Sequence, residues 1–76
     1  MSNLKLITQA VFSDAPEWVK FAVADIDGEV LGFEKDPTGT ADQHGWQVYP
    51  SFNKCISLPV DPVSPIGWQH SLIRRL

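Results

Sequence analysis

The strongest constraint on the fold is a dipeptide. Asp27-Gly28 separates two apolar runs, Trp18-Val-Lys-Phe-Ala-Val-Ala-Asp-Ile26 and Glu29-Val-Leu-Gly-Phe-Glu-Lys35. Such a pair marks a hairpin, because a two-residue turn of type I′ needs positive φ at both central positions, and Gly adopts it freely while Asp tolerates it. The first arm is apolar on both faces, with Val19, Phe21 and Val23 on one and Trp18, Ala22, Ala24 and Ile26 on the other. That pattern predicts a strand with neighbours on each side and cover above and below. In the second arm Val30 and Gly32 share one face and Leu31 and Phe33 the other, and Gly32 marks a bulge or a close approach.

Around this hairpin the chain predicts more strand. Asp36 to Gly45 has no apolar period, is rich in turn residues, and reads as a mobile loop. Gly45 to Tyr49 is expected as a third strand, Pro50 to Asn53 as a turn, and Lys54 to Val60 as a fourth strand. Pro59 cannot donate to a ladder, so this last strand ends there or lies on an edge. Prolines 62 and 65 hold the following segment extended. Ser64-Pro65 then suits a helix start, and Trp68, Leu72 and Leu76 recur at helical spacing, which predicts a short helix from about Ile66 to Arg75. Residues 1–14 are expected as a strand that joins the sheet, or as an arm, with a short helix as the alternative. The fold class expected is α+β: an antiparallel sheet of three to five strands with one short C-terminal helix, an SH3-like partial barrel being a variant.

With 76 residues the expectation is one domain, 1–76, divided into the arm 1–14, the sheet 15–60 and the linker and helix 61–76. Apolar residues make up 43% and charged residues 20%, a balance that folds rather than one that stays disordered. A core of this size supplies only about 3–5 kcal/mol. Cys55 is the only cysteine, so no disulfide adds to it, and the zinc motifs that need several closely spaced ligands are ruled out. Three Trp, four Phe and one Tyr offer dense packing instead. No apolar run reaches the roughly 20 residues of a membrane helix, and no secretory signal is recognisable. A cytoplasmic protein is expected.

The net charge is −3, and between Asp14 and Asp42 eight acidic residues stand against Lys20 and Lys35. An acidic body disfavours binding along a phosphate backbone. It suits a basic protein surface, or simple solubility.

Several of these features together form a longer pattern: Ala15-Pro16-Glu17-Trp18, Asp25-Ile26-Asp27-Gly28, Phe33-Glu34-Lys35 before Pro37, Gly45-Trp46, and Trp68-Gln-His-Ser71-Leu72-Ile-Arg74-Arg75. It resembles small accessory proteins of tailed bacteriophages and prophages over about residues 15–75, with low similarity across 38–44 and Val19 where that group carries Ala. The resemblance implies a genomic setting, a phage or prophage in a bacterial host cell, rather than a mechanism.

The residues able to carry chemistry form no recognised set. His44 and His70 lack the spacing of metal ligands, even with Cys55 and Asp42 as partners. Cys55 has no Gly-rich elbow or helix start to activate it. Asp25, Asp27 and Glu29 resemble the start of a calcium loop but lack the later bidentate Glu. Trp18, Trp46, Trp68, Phe33 and Tyr49 on one sheet face would make a base-stacking platform, though core packing explains them more economically. Arg74-Arg75 suits a phosphate, an acidic partner or a helix C-terminus. By exclusion the expected function is a non-enzymatic protein without cofactor or metal that binds a host or phage protein and so inhibits a host process or an antiviral defence. Glu29, Glu34, Asp36, His44 and Tyr49 are the expected contact residues. A nucleic-acid-associated regulator and a self-assembling structural protein are the alternatives.

Overall fold

The protein's structure is a computed structural model that describes residues 6–76. Four strands, β1 (Phe21–Ala24), β2 (Val30–Phe33), β5 (Cys55–Ser57) and β6 (Ile73–Arg74), form an antiparallel sheet in the order β5-β2-β1-β6. A second ribbon pairs β3 (Ala41–Asp42) with β4 (Gly45–Trp46). The helical elements among the described residues are single 3-10 turns, Gln9–Phe12 and Trp68–His70. The antiparallel sheet is therefore as expected, and the described part of the fold is mostly β. No pairing joins β5 to β6 into the closed wall of a barrel.

The predicted hairpin forms, with Phe21 opposite Phe33 and Ala24 opposite Val30. Its turn differs from the expected one. Asp25 N–H donates to the Glu29 carbonyl at 2.8 Å and Gly28 N–H to the Asp25 carbonyl at 2.9 Å. Gly28 has φ +87°, and no non-glycine residue described has positive φ. This is a three-residue loop, a type I turn followed by a left-handed glycine bulge, which places the positive φ on Gly28 alone. Asp27 keeps an ordinary conformation, and its carboxylate accepts from Glu29 N–H at 2.9 Å.

Side chains alternate across the sheet into two cores. On one face Ala22, Ala24, Val30 and Leu58 join Val11, Phe12, Val19 and Val63, with Ile73 packed against them. On the other, Val23, Phe33 and Trp46 cluster with Phe21, Leu31, Cys55, Trp68 and Leu72 around them. Strand β1 is covered on both faces, as its doubly apolar pattern requires. Gly32 is a close approach rather than a bulge: a Cβ there would lie 2.7 Å from Val19 Cγ1 and 3.0 Å from Leu58 Cδ2.

The C-terminal helix does not form. The chain makes one 3-10 turn and then pairs Ile73 with Ala22 and Arg74 with Phe21. Leu72 enters one core and Ile73 the other, the alternation of an extended chain. The unpaired side of β1 competes for this segment, and its ladder groups outweigh the helical spacing of Trp68, Leu72 and Leu76. At the N-terminus the first choice, a strand joining the sheet, is corrected: residues 9–12 form a 3-10 turn capped by the Thr8 hydroxyl, nearer the alternative of a short helix, and residues 1–5 lie outside the described part. The stretch 36–45, expected as a loop, contains β3 and the turn into β4. Of the expected third strand only Gly45–Trp46 is strand, and it lies outside the main sheet. The fourth strand contracts to Cys55–Ser57 at the sheet edge, consistent with Pro59 just beyond it.

Candidate functional site

The two edges of the main sheet are treated differently, and the difference comes from side chains. On β6, Arg75 N–H donates to the Lys20 carbonyl at 2.8 Å. That parity turns the backbone groups of Arg74 and Leu76 away from β1. The Gln9 amide meets them there, donating from Nε2 to the Arg74 carbonyl at 2.6 Å and accepting from Leu76 N–H at 3.2 Å. One side-chain amide thus stands where a further strand would pair. Arg75 secures the same corner. Its guanidinium donates to the carbonyls of Pro16, Val19 and Phe12 at 2.9, 3.0 and 3.2 Å and lies over the Phe12 ring. Arg75 is a structural clasp and not a free phosphate grip, whereas Arg74 is exposed.

The β5 edge has no such cover among the described residues. Glu34 N–H donates to the Lys54 carbonyl and Leu58 N–H to the Val30 carbonyl. These bonds turn the backbone groups of Lys54, Ile56 and Leu58 toward β2, so those of Cys55 and Ser57 point outward. Lysine often blunts an exposed edge, but Lys54 is folded down, its Nζ 4.3 Å from the centre of the Trp18 ring. Leading into this edge are Val48, Tyr49, Phe52 and Ile56, which are 41, 52, 75 and 38% exposed. The turn that carries them is fixed. Phe52 and Asn53 N–H both donate to the Tyr49 carbonyl, and the Asn53 side chain pairs with both backbone groups of Lys35 at 2.8–2.9 Å. Exposed aromatic side chains on a hydrogen-bonded turn that leads into an open strand edge are features that protein interfaces use.

The expected contact residues fall into two groups. Tyr49 belongs to this surface, and Glu29 reaches it, because its carboxylate accepts the Ser57 hydroxyl proton. Glu34 is exposed beside Lys54, with which its backbone pairs. Asp36 is committed to its own loop. The Thr38 hydroxyl and then its N–H donate to the carboxylate, holding its pKa below the usual carboxylate range. His44 lies at the tip of the β3–β4 turn, its N–H donating to Asp42 at 2.7 Å. Sequence reasoning missed Phe52 and Ile56, since a hydrophobic residue in a predicted turn or strand carries no sign that it faces water.

The remaining candidates resolve into structural roles. Asp25 accepts from Trp46 N–H at 2.9 Å, and the Trp46 indole N–H points at the carbonyls of Ala24 and Trp68 at 3.1 and 3.3 Å. The Ser71 hydroxyl accepts from Ala24 N–H at 2.7 Å and donates to the Trp68 carbonyl at 2.6 Å. Ser71 lies two residues beyond the β1–β6 register, opposite Ala24, so its hydroxyl replaces a ladder bond. Five residues scattered from 24 to 71 therefore meet in one node that ties the ribbon, the hairpin and the last turn together. The tryptophans form no common platform: Trp18 packs against one core, while Trp46 and Trp68 belong to the other. Among the described residues no three His, Cys, Asp or Glu side chains are placed to share a metal ion.

Burial, then the nearby carboxylates of Asp25 and Glu29, pushes the Cys55 thiol up to about 11. Its thiolate fraction at neutral pH is therefore about a hundredfold below that of an ordinary thiol. Alkylation by iodoacetamide is expected to be slow at neutral pH and to climb until about pH 11. A plateau at about pH 8.5, the ordinary thiol range, would contradict the burial of this group. Because the folded state holds the proton more tightly, stability is also expected to fall as pH rises from 9.0 toward about 11, with no effect below.

Open grooves also mark the surface of the described residues. One of about 430 Å³ is lined by Glu17, Lys20, Arg75 and Leu76. Another of about 250 Å³ lies beside the Trp68 turn, between Leu6, Ile66, His70 and Leu72. No helix of the described residues is long and apolar enough to cross a membrane. Comparison with protein-family models, with curated proteins and with solved structures finds no match for this chain.

Proposed function

We propose that the protein is a non-enzymatic binding module that acts by contact with another protein. The observation that carries this reading is the asymmetry of the sheet: the Gln9 amide occupies one edge, while the other is open beside the exposed side chains of Val48, Tyr49, Phe52 and Ile56. The resemblance of residues 15–75 to phage accessory proteins supports a partner from the phage or its bacterial host, met in the host cytoplasm, with inhibition of a host process or an antiviral defence as the effect. The acidic surface adds discrimination against nucleic acid.

Capture of tagged protein from bacterial lysate, with and without nuclease, tests the proposal. Tyr49 and Phe52 are exposed, so the double variant Tyr49→Ala/Phe52→Asp is expected to change stability by no more than about 0.5 kcal/mol each. An aromatic anchor at such a surface contributes about 2 kcal/mol or more to binding. A stoichiometric protein partner that survives nuclease and is lost with the double variant is the expected result. Equal capture by both forms, or capture that disappears with nuclease, would overturn it.

A further inference from the structure

From the geometry of β5 we infer that the partner supplies an extended strand which pairs with the outward backbone groups of Cys55 and Ser57, and that this strand places a basic residue beside Glu29 and an apolar residue beside Ile56. The inference rests on the binding-module reading and specifies its chemistry.

Three observations carry it. The first is backbone polarity. The pairing of β5 with β2 leaves the N–H and C=O groups of Cys55 and Ser57 directed outward, and Ser57 and Ile56 are exposed. Such groups are satisfied by water or by another strand, and strand addition at an edge gives affinity through main-chain bonds and specificity through alternate side chains. The second is charge. The side chains of Cys55 and Ser57 share one face of the sheet, where the Glu29 carboxylate reaches Ser57 and where Asp25 and Glu29 both act on Cys55. The nearest cation in the strand, Lys54, is on the opposite face and is held over Trp18. An added strand therefore meets negative potential on the Cys55/Ser57 face and an exposed aliphatic side chain on the Ile56 face. Alternating basic and apolar residues match both. The third is the contrast with β6, where the outward Arg74 carbonyl and Leu76 N–H are already bonded to the Gln9 amide, so an incoming strand has a defined edge to take.

An alternating Lys-Val peptide is the probe, compared with its Glu-Val counterpart, and binding is followed by NMR of the isotope-labelled full chain. Shifts and exchange protection at the Cys55 and Ser57 amides are expected with the Lys-Val peptide, and about tenfold weaker affinity for the Glu-Val peptide. Glu29→Gln is expected to weaken Lys-Val binding about threefold and to flatten its salt dependence. Ser57→Pro removes the outward N–H without touching the bonds to β2, and it holds Ile56 in its extended conformation. Relative to Ser57→Ala, which shares the loss of the hydroxyl, it is expected to reduce affinity about tenfold. Equal binding of the acidic peptide, equal affinity of the Pro and Ala variants, absence of peptide binding, or protection of these amides by self-association alone would each overturn the inference. Partner capture that depends on Tyr49 and Phe52 but ignores Ser57→Pro would sink the strand-pairing mode while leaving the binding module in place.

Discussion

Gly28→Ala is expected to leave the domain unfolded at room temperature. Two costs act at this position, and they are separable. The backbone has φ +87°, a region that an alanine enters only with strain of about 1–2 kcal/mol. A Cβ here would also lie 2.3 Å from the carbonyl oxygen of Val63, a backbone atom that cannot rotate away. Relief requires the 62–63 segment to move, which breaks the Val63 N–H bond to the Gly28 carbonyl at 2.9 Å and draws Val63 out of its core. Together these reach about 3–5 kcal/mol, the whole of what a core this size supplies. Gly28→Asn distinguishes the two costs. Asn tolerates a left-handed conformation far better than Ala, but it carries the same Cβ. The contact with Val63 therefore predicts that both variants lose the cooperative transition in denaturant titrations followed by tryptophan fluorescence. Near-native stability of Gly28→Asn would mean that the 62–63 segment does not press on the hairpin tip as described.

Truncating Trp46 is the second large expected effect. Its side chain is buried with Val23 and Phe33, and truncation of such a ring to Ala costs about 3–5 kcal/mol. Trp46→Ala is therefore also expected to abolish the unfolding transition. Trp46→Phe separates packing from hydrogen bonding. It retains most of the ring but deletes the N–H that serves the Ala24 and Trp68 carbonyls. Ala24 is 1% exposed, so water does not readily replace the donor, but the Ser71 hydroxyl lies 3.1 Å from the Ala24 carbonyl and Ser71 already donates to the Trp68 carbonyl, so a loss of about 1 kcal/mol is expected. Hydrogen exchange should localise the change, with faster exchange of Gln47 N–H, which donates to Thr40 in the ribbon, and of Ala24 N–H, which donates to Ser71. A Phe variant as stable as the parent, with unchanged exchange at both amides, would show that the indole N–H contributes nothing.

These two positions show where sequence and structure divide. Asp-Gly between apolar runs, the doubly apolar first arm and an edge strand ending near Pro59 were legible, because each depends on contacts a few residues apart or on the strand period itself, whereas at Gly32 the choice between a bulge and a close approach fell to Val19 and Leu58. The exact turn was less so. Asp-Gly fits both the two-residue and the three-residue loop, and the choice falls to the pairing of Asp25 with Glu29 and to the passage of Val63 behind Gly28.

The sequence by itself determined a central hairpin, an antiparallel sheet and a domain short of other staples. Only the tertiary structure decided how that sheet ends. Its boundaries are set by side chains that stand in for backbone: Ser71 for a ladder bond to Ala24, Gln9 for a strand beside β6, Asp25 for the tie to Trp46, and Arg75 for the closure over Phe12, Pro16 and Val19. Several of these partners are more than forty residues apart in the chain, and none is marked by local composition. The same competition turned the helical spacing of Trp68, Leu72 and Leu76 into a turn and a strand. A helix satisfies only its own backbone, whereas an extended segment also completes the unpaired edge of β1 and fills both cores with successive side chains.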